Sequence, residues 1–590
     1  MEGQERMAKE TPKFNRTLAQ YFTNLRLEKQ DGVWRECRFS GEKFYIRPED
    51  IAFYKRIGVP LPTLHPNERW RRLSAYENSY NIFRITSAWS KKPIIAAYPP
   101  ETPYKIYEHQ VWRSDKWDPI SFGHQWIASK GFFNQFSELQ KLVPRPNLIT
   151  YPTNIGSDYT NTSSNLKNCY LVFNTLSGEN LYYVDGHDRS MDCVDGNSFT
   201  NSTNCYSCRD ITNSYHCFFC EECSNCLESA FLFDCRNCDR CFMSTNLRNK
   251  KYCFRNKQLS KEEYEQHMRG VYLGNYNEVQ KYVAEFAKIK RGALYKVDNN
   301  IRTVNCLGDY NRDSKNCYFS LYVMKSVGVN YSLGLTDYRD SCDIVGGGGG
   351  ELCYELMTVS TSGNYGVKLS SQIDNCREVE YCDLCRNCSY CFGCIGLENK
   401  SFCILNRQYT EEEYWKLVDH IKTSMLTTGE YGEFFPPALM PIPYKISFAT
   451  SYTGFDDYAR AVKFGYDVSD VKNSAERPSD NGAAVIHGDD LPLDIRAVDD
   501  DILTRVVHDT ANNRYFRIMP YELDFYRRNG LALPREHPIV RIFRFRKPYA
   551  VRLKFYDRRC GKCGATLLSP REVEKYPKLL CEDCYNTEVS

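Results

Sequence analysis

A mixed, β-dominated fold is what this sequence predicts, with duplicated short-coil β-solenoid-like, cysteine-rich repeats that carry helical caps, flanked by zinc-ribbon-like α+β modules. Three features carry that expectation: a module repeated at the two ends of the chain, a cysteine-rich block repeated in its middle, and a three-residue spacing of the cysteines inside each block. Repeats decide the fold before local propensity does, because each unit buries its apolar face on the next.

In the terminal pair, residues 44–58 match residues 516–530 at a constant offset of 472. Pro48, Ile51, Phe53, Tyr54, Arg56 and Gly58 stand where Pro520, Leu523, Phe525, Tyr526, Arg528 and Gly530 recur. The match runs on through Pro62, His65, Pro66 and Arg69 to Pro534, His537, Pro538 and Arg541. Each copy predicts a short helix opened by proline and closed by glycine, then a proline-containing loop.

The central pair repeats at an offset of 150, where Cys235, Cys238, Cys241, Leu247, Asn249, Lys250 and Cys253 recur as Cys385, Cys388, Cys391, Leu397, Asn399, Lys400 and Cys403. Each copy runs into a capping box, Ser260 with Glu263 and Thr410 with Glu413, which predicts helices starting near Lys261 and Glu411. The twelve cysteines from Cys169 to Cys253 share one residue class modulo three, as do the seven from Cys376 to Cys403. Written in sixes from Asn204 the chain reads NCYSCR, DITNSY, HCFFCE, ECSNCL, ESAFLF, DCRNCD, RCFMST, NLRNKK, YCFRNK, with small or apolar second positions throughout and small or apolar fifth positions in all but the last two. A solenoid needs such a pattern, since each flat side turns one small side chain inward and successive coils stack that position. Asn precedes the inward residue at Asn168, Asn204, Asn225, Asn237, Asn375 and Asn387, and Asn suits corners because it tolerates the left-handed region. The rhythm leaves open how many hexads make one coil.

Closely spaced thiols at Cys217, Cys220, Cys223 and Cys226, and from Cys382 to Cys394, also fit an iron–sulfur cluster. Equivalent hexad positions hold Ile211, Ser214, Ser229, Leu232, Ser244 and Leu247, none of which ligates iron, so the run reads as a packed wall of small buried residues. The C-terminal cysteines differ. Cys560-Gly-Lys-Cys563-Gly and Cys581-Glu-Asp-Cys584 form two CxxC knuckles separated by seventeen residues. Four thiolates at that spacing predict a closed, structural zinc site with no open catalytic position. At the 472 offset the N-terminal copy has Ala88 and Lys91 where Cys560 and Cys563 stand, with Tyr107, Glu108 and His109 near the second pair, so that copy must be held by packing of Trp34, Phe53, Tyr54, Trp70 and Trp89. Cys37, His65 and Glu68 remain candidates for a second, vestigial metal site.

These patterns divide the chain into an N-terminal degenerate ribbon-like module (1–150), a first repeat with its helix (151–290), a second (291–424), an acidic linker (425–505) and the C-terminal zinc-ribbon module (506–590). A chain of 590 residues exceeds one core, and 42% apolar with 26% charged residues is a globular composition. No apolar run reaches the ~18 residues of a membrane span and no leader precedes the first module, which points to a cytoplasmic protein whose 28 cysteines stay reduced. Net charge is +3, yet residues 1–150 carry 24 basic against 16 acidic residues, 511–590 carry 17 against 9, and 425–510 carry 7 against 15. Arg69, Arg71 and Arg72 beside Trp70, and Arg541, Arg544, Arg546 and Lys547 beside Phe543 and Phe545, interleave cations with aromatic faces, as binders of single-stranded RNA do. The sequence has no G-x-S-x-G, Walker A or H-E-x-x-H motif, and Gly346 to Gly350 precede Glu351 rather than Lys and Ser or Thr. The expectation is a non-enzymatic zinc-bearing scaffold that meets an unknown protein partner, or nucleic acid through its basic ends.

Ser40-Gly41-Glu42, the Phe-Tyr-x-x-x-Gly helix, the Asn-Cys-Tyr starts, Leu247 to Cys253 and the final Cys-Gly-Lys-Cys-Gly knuckle together resemble an uncharacterised family of cysteine-rich zinc-ribbon proteins, over nearly the whole chain. Members often carry a CaiB/BaiF label, which would imply acyl-CoA transfer, and no motif here supports that chemistry. In that family the first module commonly bears two cysteine pairs, and this sequence departs from that pattern at Ser40, His65 and Glu68.

Overall fold

The computed structural model describes residues 10–26, 32–357, 363–471, 484–546 and 554–589. Its centre is a pair of β-solenoid stacks, as the rhythm predicts. Parallel pairing advances twelve residues per step, from Tyr182 to Val194 to Tyr206 to Phe218, so one coil is two hexads. Within a coil the backbone enters the left-handed region at every third residue, as at Asn204, Ser207, Asp210 and Asn213. Each such residue turns a corner, four corners close one coil, and the next residue points inward.

That geometry explains the cysteines. Four inward side chains share one narrow axis, so most must be small, and the Cys169 to Cys253 set with Val172, Leu181 and Ile211 forms one buried column. The second stack repeats it with Cys317 to Cys403. Ser and Cys are interchangeable there because both donate to the carbonyl two residues back: Ser214 Oγ to Thr212 O at 3.0 Å, Cys223 Sγ to Glu221 O at 3.1 Å. Where a large ring turns inward, glycine makes room. A Cβ on Gly196 would lie 2.3 Å from the Phe199 ring, and one on Gly350 2.4 Å from Tyr338. Burial pushes Cys169 up to about 11 and Cys353 up to about 12, so these groups are neutral thiols.

Each stack ends in a short antiparallel hairpin, Cys253–Phe254 with Lys257–Gln258 and Ser401–Ile404 with Arg407–Gln408. The predicted helices follow as Lys261–Met268 and Glu411–Thr428, each with its capping box formed. Within the stretch 425–505, expected as an acidic linker, Phe434, Phe435, Tyr444, Phe448 and Phe455 are buried, and Glu433 and Phe434 bond to Thr63 and Arg72 of the first module and Glu355 of the second stack.

The terminal modules dock crosswise. The N-terminal one precedes the first stack yet sits on the second, where Arg69 pairs with Asp343 at 2.9 Å, Trp70 Nε1 donates to Tyr331 O at 2.6 Å and Tyr331 donates to Asp50 at 2.9 Å. The C-terminal module uses the equivalent residues on the first stack, Arg541 with Asp195 and Tyr183 donating to Glu522 at 2.5 Å. These contacts also engage most of the arginines that the sequence interleaves with aromatics. Arg69, Arg71, Arg72 and Arg541 are buried in helices Pro66–Ser74 and Pro538–Arg546 and paired with carboxylates, with Trp70 buried among them. Arg544 is over half exposed and pairs with Glu536, while Lys547 and the Arg546 side chain lie outside the described residues. No described helix is long and apolar enough to cross a membrane.

Candidate metal centre

Cys560 sits where the hairpin Tyr556–Arg559 with Thr566–Ser569 begins its turn. The turn is closed by Cys560 N–H donating to Ala565 O at 2.9 Å and Gly564 N–H donating to Cys560 O at 3.0 Å, with Gly564 at φ 75°. That positive φ suits glycine, which has no Cβ to clash. Leu579–Leu580 then pairs with Tyr295–Lys296, and helix Glu582–Val589 starts directly after Cys581. One knuckle thus comes from a hairpin and the other from a strand-to-helix turn, and their sulfurs converge.

All four Sγ atoms of Cys560, Cys563, Cys581 and Cys584 lie within 4.8 Å of one another, as the two knuckles predict. Cys563 Sγ and Cys581 Sγ are 3.8 Å apart, and Cys581 N–H donates to Cys560 Sγ at 3.3 Å. Burial opposes the Cys560 thiolate, but N–H groups of Cys563, Cys581 and Lys562 outweigh it and bring the thiol down to about 6. Hydrogen bonding to Cys581, with burial and the other two thiols, pushes Cys584 up to about 12. Cys560 packs on Leu580 and Tyr585, which ties the site to an apolar floor.

Among the described residues this is the only group of three or more Cys, His, Asp or Glu with converging ligand atoms. The solenoid thiols form no such group. Replacing Cys223 by Ser is therefore expected to leave the bound metal unchanged and to cost on the order of 1 kcal/mol. Metal analysis with a denaturation curve checks it, and loss of metal in this variant would reverse the wall reading.

Cys37, His65 and Glu68 do not assemble into a ligand set. Cys37 Sγ accepts from Ser40 N–H at 3.5 Å, His65 Nδ1 caps its helix by accepting from Asn67 N–H, and Glu68 pairs with Arg71 at 2.8 Å and Arg460 at 2.7 Å. The equivalent of Cys37 in the other module is Asp509, whose carboxylate accepts from Asn512 and His537 N–H groups.

The hairpin of the N-terminal module that corresponds to the Cys560 and Cys563 knuckle corrects the alignment by one residue. Hairpin Phe83–Thr86 with Pro93–Ala96 superposes on Tyr556–Arg559 with Thr566–Ser569 at an offset of 473, not 472. Ser87, Ser90, Glu108 and Val111 thus stand at the four cysteine positions, rather than Ala88 and Lys91. Ser87 Oγ donates to Glu108 Oε2 at 2.6 Å and accepts from the N–H groups of Trp89 and Ser90. A hydrogen bond across the knuckles does there what the thiol cluster is placed to do in the other copy. His109, next to that position, instead turns Nδ1 to Leu148 O at 3.2 Å.

No family model matches this chain, and no curated protein matches its sequence.

Proposed function

We propose that this protein is a non-enzymatic scaffold whose C-terminal ribbon is stapled by one structural zinc ion. One observation carries the reading: the four convergent thiols close a strand, Leu579–Leu580, onto Tyr295–Lys296, the segment that enters the second stack. A metal at that point fixes the joint between the two stacks, not a substrate. Zinc suits the donors, since Zn–S bonds of about 2.3 Å set tetrahedral sulfur edges of about 3.8 Å, the separation found between Cys563 and Cys581. Four protein ligands leave zinc no position for substrate or activated water.

The flanks of the two stacks and the surfaces of the docked modules supply the binding area of such a scaffold, in the manner of other solenoids. A pull-down from native lysate, with and without nuclease, tests the role. A defined protein retained after nuclease treatment is the expected result. Capture that depends on nucleic acid would move the role to RNA binding, and capture of nothing would remove the scaffold reading.

A further inference from the structure

The crosswise duplication lets one half of the molecule be read against the other. In the second half, residues 430–435 thread the groove between the second stack and the N-terminal module. Gly432 N–H donates to the Tyr381 hydroxyl at 3.1 Å, and Phe434 N–H donates to Glu355 at 2.6 Å. The Glu433 carboxylate accepts from Arg72 at 2.5 Å and from the Thr63 hydroxyl at 2.6 Å. Phe434 and Phe435 are 1% and 0% exposed.

The offsets that relate the halves carry this groove onto the first stack. At an offset of 148 Tyr354 and Glu355 become Tyr206 and Ser207, at 150, beyond the fourteen-residue coil from Tyr354 to Lys368, Tyr381 becomes Phe231, and at 472 Thr63 and Arg72 become Arg535 and Arg544. All five of these counterparts line one cavity of about 300 Å³, walled on its far side by helix Tyr276–Arg291. The charge around the equivalent arginines differs. Arg72 is held by the two carboxylates Glu355 and Glu433. Arg544 has Ser207 in place of the first and pairs with part-exposed Glu536, with Asp195 also in the lining, while Arg535 is an added cation whose guanidinium donates to Asp489 O and Leu491 O.

We propose that this cavity receives an extended segment of a partner protein, an acidic residue followed by two aromatics, in the pose that residues 433–435 take in the other half. The carboxylate would displace Glu536 from Arg544 and reach Arg535, and the rings would fill the apolar space beside Phe231. This rests on the scaffold reading and names its ligand class. Backbone groups and a desolvated charge would supply the affinity, with the rings giving selectivity.

The probe is a labelled synthetic peptide, Tyr-Gly-Glu-Phe-Phe-Pro, titrated against the intact metal-bound protein by fluorescence polarisation. Saturable binding is expected, weakened about tenfold or more by Arg544→Ala or by Gln in place of the peptide Glu, because each strands one partner of a charge pair. Glu536→Gln should tighten it, since the internal competitor is removed. Arg544 is over half exposed, so its truncation leaves the core intact, which circular dichroism verifies. No saturation up to about millimolar peptide, or equal binding by wild type and Arg544→Ala, overturns the site. A lysate partner held equally by both proteins would sink this cavity while leaving the scaffold role standing.

Discussion

Purified wild-type protein should carry one zinc per chain, and the variant with Cys560→Ser and Cys581→Ser should carry none. Structural zinc contributes on the order of 10 kcal/mol or more to the fold it closes, which is far beyond what the small apolar floor of Cys560, Leu580 and Tyr585 supplies. The loss should therefore be local and severe. Amide exchange over residues 556–589 should rise, and with it exchange at Tyr295 and Val297, whose N–H groups donate to Lys578 O and Leu580 O. The solenoid columns, which hold no converging ligand set, should keep their protection. Equal zinc in wild type and variant would sink the assignment, and iron in place of zinc would change the metal while leaving the four ligands.

The solenoid was readable because its rules are local. A corner every three residues leaves a mark on every triplet, so Asn168, Asn204 and Asn375 announce left-handed backbone before any contact is known. The same repetition hides the coil length: a period of three says nothing about the number of sides, and only the twelve-residue pairing supplies it. Inward Phe199 and Tyr338 break the small-residue rule and become intelligible through Gly196 and Gly350. The four C-terminal cysteines were readable because two CxxC turns at that spacing bring their thiols together. Their N-terminal counterparts were misplaced by one residue, since the C-terminal copy has one extra residue between its buried helix and its hairpin, where no cysteine anchors the alignment. The burial of Arg69 and Arg541 was not readable, for a different reason. Asp343 and Asp195, which neutralise Arg69 and Arg541, lie hundreds of residues away in the repeats, and no local pattern connects them.

Those buried pairs should be the costliest single positions in the protein. Arg541→Ala is expected to destabilise docking of the C-terminal module by about 3–5 kcal/mol, because it leaves Asp195 buried without its cation. The effect should depend on pH with a definite sign. Burial already raises Asp195 above its ordinary value against the pull of Arg541, and pushes Glu522 up to about 7. Without Arg541 both folded-state values rise further above those of the unfolded chain. A carboxyl whose folded value is raised supports the fold at low pH and withdraws that support as pH climbs through the folded value. The variant should accordingly lose less stability at pH 5 than at pH 8. Adding Asp195→Leu to Arg541→Met should recover part of the loss, since it removes the uncompensated charge at Asp195, while Glu522 keeps only its hydrogen bonds from Tyr183, Tyr526 and Met519 N–H. Denaturant unfolding at the two pH values, followed by exchange in residues 520–546, reads all three results. A loss below about 1 kcal/mol, or one with the opposite pH trend, would mean that the pair stays solvated and that the aromatic contact of Tyr182 with Tyr521, with rings 4.9 Å apart, holds the module instead.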